Sequence, residues 1–307
     1  MKILITGGAG FIASHISDAY IKRGHNVVVI DNLSTGKKEY LNGKASFYQA
    51  DIRDRKIVEE IFQKEKPEVL NHHAAQISVR YSVEDPRNDA SINILGLLNL
   101  LEAGKPYLKK VIFASSGGVV YGEADKMPTP EDYVPLCPLS PYGVAKLAGE
   151  YYLNYYQKNF GIRGVSLRYS NVYGPRQNPH GEAGVVAIFS KKVIKGEAPV
   201  INGDGLQTRD YVYVGDVVSA NQLVLAKDVS GSFNIGTGIE TNVVGIWQKI
   251  AKITGTDIKA VYGPAKQGEQ KRSVLYNSLA REKLAWQPSI DLESGLKETV
   301  KFFKKNE

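Results

Sequence analysis

The residues best suited to moving a proton are Tyr142 and Lys146, four apart in Pro141-Tyr142-Gly143-Val144-Ala145-Lys146. On a helix that spacing puts both side chains on one face, where they can meet. An ammonium beside a phenol favours the phenolate, which predicts a tyrosine pKa below its usual ~10. Tyr40/Lys44 and Tyr262/Lys266 share the spacing, but Asn42-Gly43 and Gly263-Pro264 interrupt them. Those dipeptides mark turns, so only Tyr142/Lys146 opens a long helical pattern. Ser115-Ser116-Gly117-Gly118 follows the apolar run Val111-Ile112-Phe113. Hydroxyls just beyond the carboxyl end of a parallel strand lie where open α/β sheets bind ligands. Ser116 is placed to share a proton with Tyr142, while a turn or cap built from Ser115 and Ser116 remains the alternative.

A second constellation handles phosphate. Thr6-Gly7-Gly8-Ala9-Gly10-Phe11-Ile12-Ala13 follows an apolar run and opens a helical pattern. Gly7 permits a sharp turn, Gly10 a close approach of backbone to a pyrophosphate, and Ala13 close packing of helix on sheet. The first amides of the helix then face the phosphates. Asp31 closes the next apolar run, where an acid accepts hydrogen bonds from a ribose 2′-OH and repels a 2′-phosphate. The cofactor this favours is NAD, whose cationic nicotinamide would further favour a Tyr142 phenolate.

Short β-branched runs alternate with helical patterns through the first two-thirds of the chain. Strands are expected over Lys2–Thr6, Asn26–Ile30, Ser46–Ala50, Glu68–His72, Lys110–Ser115 and Arg163–Tyr169. Helices are expected over Phe11–Arg23, Arg53–Glu65, Asp89–Ala103 and Pro141–Phe160. Such alternation predicts an α/β fold: a doubly wound parallel sheet of Rossmann type, joined to a smaller, irregular C-terminal region. Residues 1–172 are expected to form the NAD-binding domain. A return to the sheet is expected near 231–238, through Ser232-Phe233-Asn234-Ile235. Residues 173–230 and 239–307 then form the substrate domain.

Composition narrows the function classes. Apolar residues at 43% and charged residues at 23% describe an ordinary globular chain, not a disordered or collagen-like one. One cysteine, Cys137, excludes an intramolecular disulfide framework. No apolar run approaches the ~20 residues of a membrane helix, and Met1-Lys2-Ile3-Leu4-Ile5-Thr6 runs into glycines without a leader pattern. A cytoplasmic protein without membrane contact is expected. The net charge of +7 sits in residues 151–307, with 21 basic against 14 acidic side chains. Its lysines are scattered, so no nucleic-acid partner is expected. His72 and His73 are neighbours on a strand and point to opposite faces, which suits packing better than a metal. Tyr151, Tyr152, Tyr155 and Tyr156 stripe the helix after Tyr142, and part of that stripe suits contact with a second subunit in a homodimer.

These motifs, in this order, resemble the extended short-chain dehydrogenase/reductase family, and within it the UDP-glucose 4-epimerase branch. The resemblance runs almost end to end. It includes Thr6–Ala13, Asp31-Asn32-Leu33-Ser34, Asp51-Ile52-Arg53, His72-His73-Ala74-Ala75-Gln76, Asn93, Ser115–Gly122 and Tyr142/Lys146. It continues through Leu167–Arg176 and Gly203-Asp204-Gly205 to Thr208–Val214. The resemblance implies that Gly7, Gly10, Phe11, Ile12, Asp31, Asn32, Ser34, Asp51, Ile52, Ala74, Ala75, Asn93, Tyr142, Lys146 and Tyr169 contact NAD. It makes Ser116, Tyr142 and Lys146 catalytic. Ser116, Tyr142, Asn171, Arg209 and Arg272 would hold a UDP-sugar. Lys266 stands where an arginine is common in the family, and Tyr276 where an aspartate is common.

The reaction implied is 4-epimerisation of UDP-glucose and UDP-galactose, by transient hydride transfer through a 4-keto sugar. Dehydratases and decarboxylases of the family add a carboxylate two residues before the tyrosine of the Tyr121-Gly122 motif, where this chain has Val119. A valine cannot act as acid or base, which favours epimerisation. The alternatives are another UDP-sugar (UDP-glucuronate, or UDP-N-acetylglucosamine admitted by the small Ser273), a dehydratase, and a non-catalytic NAD-binding regulator.

Overall fold

Residues 1–180, 184–265 and 270–306 are described by a computed structural model of the chain. The apolar runs become strands β1 (Lys2–Thr6), β2 (Asn26–Asp31), β3 (Ser46–Gln49), β4 (Val69–His72), β5 (Lys110–Ser116) and β6 (Arg163–Tyr169). Strand β7 (Asn171–Tyr173) follows at once, then β8 (Val200–Asn202), β9 (Thr208–Tyr213) and β10 (Gly231–Ile235). The last strands are β11 (Glu240–Asn242), β12 (Val261–Gly263) and β13 (Arg272–Ser273). The helices are α1 (Phe11–Lys22), α2 (Arg55–Glu65), α3 (Val79–Glu84), α4 (Pro86–Ala90) and α5 (Gly96–Gly104). They continue as α6 (Pro141–Phe160), α7 (Val185–Ile194), α8 (Val214–Ala226), α9 (Val243–Thr254) and α10 (Leu292–Lys305).

Seven strands form one parallel sheet in the order β10-β6-β5-β4-β1-β2-β3. Strand order reverses between β1 and β4, and the crevice at their carboxyl ends is where such sheets bind ligands. Both sheet faces are covered, so the central strands are apolar throughout rather than alternating. Helices α1 and α8 close one face over Ile3, Ile5, Val29 and Ile112; α2, α5 and α6 close the other over Leu4, Val28, Leu70 and Phe113. Chain return is seen at β10, which pairs with β6 from Gly231↔Val165 to Ile235↔Tyr169. The smaller sheet is mixed: β9 pairs in parallel with β7 and β13 and antiparallel with β11. A separate parallel pair joins β8 and β12. Tyr173, Phe189, Trp247 and Leu296 pack the core of this second layer.

The helix expected over Asp89–Ala103 is longer and irregular. It starts at Pro86, capped by the Asp85 carboxylate on the Asn88 amide, and loosens into a π-helical turn over Ser91–Leu95 before α5. Among the described residues, no helix is long and apolar enough to cross a membrane.

Candidate active site

The loop after β1 is built as its glycines require. Gly7 has φ +71°, and a Cβ there would lie 2.8 Å from the Ala74 amide nitrogen. Any side chain at this point would strain the turn and push the β1 and β4 loops apart. Gly10 caps α1 without a side-chain bond, so the first amides of the helix stay open to a ligand. The Asp31 carboxylate accepts from the Ala9 amide (3.0 Å) and the Leu33 amide (2.8 Å). A carboxylate has about four acceptor positions, so about two remain for a ribose diol. Asp51 is different. Arg53 binds it through the backbone amide, Nε and Nη2, and Asn32 Nδ2 adds a fourth donor. Arg53 holds its carboxyl down at about 2, and its lone pairs are spoken for, so Asp51 contributes a wall rather than a free acceptor.

A cavity of about 930 Å³ runs from this end of the sheet to the start of α6. Gly7, Gly10, Phe11, Ile12, Asp31, Asn32, Ser34, Asp51, Ile52, Ala74, Ala75, Ser116, Tyr142, Lys146, Tyr169, Asn171 and Arg209 all lie on its wall. Two expected residues do not. Asn93 is buried away from the cavity. Its amide donates to Gln76 O (3.0 Å) and Asp89 Oδ1 (2.9 Å), and its oxygen accepts from the Gln76 amide. It holds the loop after β4. Arg272 is exposed and pairs with Glu240, while its neighbour Ser273 reaches the wall. Lys266 lies outside the described residues.

At the α6 end, the Ser140 hydroxyl accepts from the Gly143 amide and starts the helix with Pro141 in its first turn. This fixes Tyr142 and Lys146 one turn apart. Lys146 Nζ donates to Ala114 O (2.8 Å), and it lies 4.8 Å from the Phe113 ring centre and 5.6 Å from that of Tyr142. Burial brings Lys146 down to about 8. Tyr142 departs from expectation: burial, with the Asp89 charge adding, pushes its hydroxyl above the usual phenol range. Burial disfavours the charged form of both groups, so in the protein alone it works against the phenolate that the spacing predicts.

The two serines separate. Ser115 Oγ donates to Glu150 Oε1 at 2.6 Å, and Glu150 also receives Arg168 Nη2 (2.7 Å) and Ser232 Oγ (2.9 Å). Ser116 Oγ has no hydrogen-bond partner among the described residues and faces the cavity. Ser116 is therefore the free hydroxyl. The histidines also divide: His72 bonds to Thr6 Oγ1 (2.7 Å) and stacks on Phe113, whereas His73 reaches the cavity and bonds through Nε2 to the Tyr169 hydroxyl (3.1 Å).

Sequence reasoning missed several wall residues. Gln177 is pinned through Nε2 to Val172 O (2.9 Å), and Lys191 meets His180 at 3.2 Å. His73 Nδ1, Ser170 Oγ and Gln177 Oε1 are buried on this wall without a protein partner. Buried polar atoms are rarely left so. Together with the open amides of α1 and the half-used Asp31 carboxylate, they fit a long polar cofactor such as NAD.

Comparison with known proteins agrees. A putative UDP-glucose 4-epimerase of Methanocaldococcus jannaschii is 49% identical over 99% of both chains. The structure of a Thermotoga maritima UDP-glucose 4-epimerase with UDP-glucose is 50% identical, covers 100% of this chain and 99% of that one, and superposes with a TM-score of 0.97. That of the Thermus thermophilus UDP-glucose 4-epimerase with NAD is 44% identical over 99% of both chains, with a TM-score of 0.94. A family description covers residues 3–236, and the chain belongs to the NAD dependent epimerase/dehydratase family.

Proposed function

We propose that the chain interconverts UDP-glucose and UDP-galactose at the sugar C4. The observation that carries this reading is the character of the cavity wall. The acids on it, among the described residues, are Asp31 at the end of β2 and Glu39 and Asp51 in the loops after β2 and β3. Beside Ser116 and Tyr142 the wall offers Gly118 and Val119. Loss of water from the sugar needs a further acid or base at the neighbouring carbon, and among the described residues Gly118 and Val119 supply none. Proton exchange at a single hydroxyl is what this end of the cavity can perform.

Bound NAD, held by the Gly7–Gly10 loop and Asp31, would supply a reversible hydride acceptor for C4. Tyr142 is the base for the 4-OH proton, and Ser116 bridges that oxygen and the phenol. Lys146, held by Ala114 O, keeps a positive charge under the tyrosine ring at neutral pH. Asn171 and Arg209 are assigned to the nucleotide diphosphate. The sugar must turn over between the two transfers, and the small Ser273 leaves space on the wall for it. Positioning and a tuned phenol supply most of the rate.

The same reading divides the chain into an NAD-binding domain over 1–172 and a substrate domain built from 173–230 and 239–307. It places the enzyme in the cytoplasm, where the free Cys137 needs no partner. A symmetric homodimer through α6 fits the exposure of Val144, Tyr151 and Tyr155, with Leu95 beside them.

The test is incubation of purified protein with UDP-galactose and no added NAD. Appearance of UDP-glucose supports the reading; loss of water or carbon dioxide from the sugar, or no conversion by cofactor-loaded protein, overturns it.

A further inference from the structure

The loop between β7 and α7 starts from the smaller sheet and lies against α1, which covers the large one. It opens with Gly174-Pro175-Arg176-Gln177. Arg176 has φ +67°, a left-handed conformation that an L side chain rarely adopts and keeps only where its surroundings hold it. Three contacts do so. His15, in the second turn of α1, donates from Nε2 to Pro175 O at 2.9 Å; a carbonyl only accepts, which fixes the direction of the bond. Arg176 Nη1 lies 2.9 Å from Asp18 Oδ2, one turn farther along α1. Its N–H is not aimed at that oxygen, so charge holds the pair rather than a directed hydrogen bond. The same guanidinium stands over the Tyr40 ring, 5.6 Å from the ring centre.

Tyr40 closes a short 3₁₀ turn, Lys38–Tyr40, in the loop after β2. From the same loop, Asn42 Nδ2 donates to Asp18 Oδ1 at 2.7 Å, so the Asp18 carboxylate is shared between the two loops. Three segments therefore meet at one point: α1, the loop after β2 and the loop after β7. Each also reaches the cavity, through Phe11, through Tyr40, and through Arg176 with Gln177. Asp31, the residue placed for the ribose diol, lies on the same wall.

We propose that Arg176 is a cofactor-retaining clasp: it ties the loop of the smaller sheet to α1 and Tyr40 along the Asp31 stretch of the groove, and NAD is released when that tie opens. A ligand lying between two walls leaves when the walls part, and Arg176 joins the two walls directly. The inference rests on NAD as the cofactor and on the groove that fits it, and it does not depend on which sugar is converted. A partly exposed ion pair and a cation–π contact are each modest. Together they are expected to slow release by about three- to thirty-fold.

The experiment loads the protein with radiolabelled NAD, chases it with excess unlabelled NAD, and follows the label that stays on the desalted protein. Arg176→Ala is expected to lose label about three- to thirty-fold faster than the parent. Arg176→Gly relaxes the left-handed backbone while removing the same contacts, and carries the same expectation should Arg176→Ala not fold. Tyr40→Leu removes the ring alone and is expected to speed release by a smaller factor. Arg176→Ala combined with Tyr40→Leu should release NAD no faster than Arg176→Ala, because one contact cannot be broken twice. Unchanged release from a folded Arg176 variant, or a double variant in which the two single effects multiply, overturns the proposal. Sugar never enters this assay. Failure to epimerise UDP-galactose therefore sinks the function reading by itself, while the release rate still decides the role of Arg176.

Discussion

Alanine at Ser116 and, separately, at Ser115 distinguishes two hydroxyls that stand side by side in the chain. Ser115 is buried and bonds to a carboxylate that has Arg168 and Ser232 as further donors. A hydrogen bond to a charged group contributes about 1.5–3 kcal/mol, and the remaining donors on Glu150 soften its loss to about 1–2 kcal/mol of stability. At roughly 2–4 °C per kcal/mol for a chain of this size class, melting should fall by a few degrees. Ser116 gives up no protein contact, so Ser116→Ala should melt like the parent. What it loses is a bond to an oxygen gaining negative charge, again about 1.5–3 kcal/mol but now in the barrier, or roughly ten- to 150-fold in kcat. The assay is conversion of UDP-galactose to UDP-glucose followed chromatographically, beside thermal melts of both variants. A Ser115→Ala protein that keeps its melting temperature and loses turnover, with an active Ser116→Ala protein, would refute the reasoning.

Three other outcomes follow from the same geometry. Tyr142→Phe should lose about 10²–10⁴ in kcat, the usual worth of general base catalysis, and keep its fold by circular dichroism; near-parent turnover would remove Tyr142 from its role. Glu150→Ala leaves the Arg168 guanidinium, 5% exposed, without its counter-charge, which should cost about 3–5 kcal/mol in urea unfolding; an unchanged unfolding midpoint would contradict this. Lys146 titrates at about 8 in the folded protein and near ~10.4 when unfolded. Between those values the unfolded chain binds more protons, so this group makes stability rise with pH. Lys146→Met should flatten that rise in urea unfolding between the two pH values, and an identical slope in both proteins would argue against a depressed lysine.

Much of this was legible in the residues themselves. Strands buried on both faces read as unbroken apolar runs, and a glycine loop between strand and helix has few other uses, so the sheet and phosphate end could be placed. Tyr142 and Lys146 stand out because a long helical pattern follows them, whereas turn dipeptides interrupt the other tyrosine–lysine pairs at that spacing. Local pattern could not show which serine was free, because Glu150 lies 35 residues from Ser115 and meets it only through the packing of α6 on β5. Nor could it show that Asn93 bonds to Gln76, 17 residues away, or that Arg272 pairs with Glu240, 32 residues away. The raised Tyr142 hydroxyl is a property of depth, which spacing does not encode. The π-helical turn that brings Asp89 and Asn93 to the same loop leaves no distinctive mark in Ser91–Leu95.

The most direct test of the central claim follows one atom. UDP-galactose carrying deuterium at C4 is incubated with the protein in ordinary water, and the UDP-glucose formed is examined by NMR and mass spectrometry. Removal and return of the hydride within one closed cavity requires that the deuterium remain at C4 of the product. Deuterium lost to solvent, or transferred to another carbon with loss of water, would contradict the account.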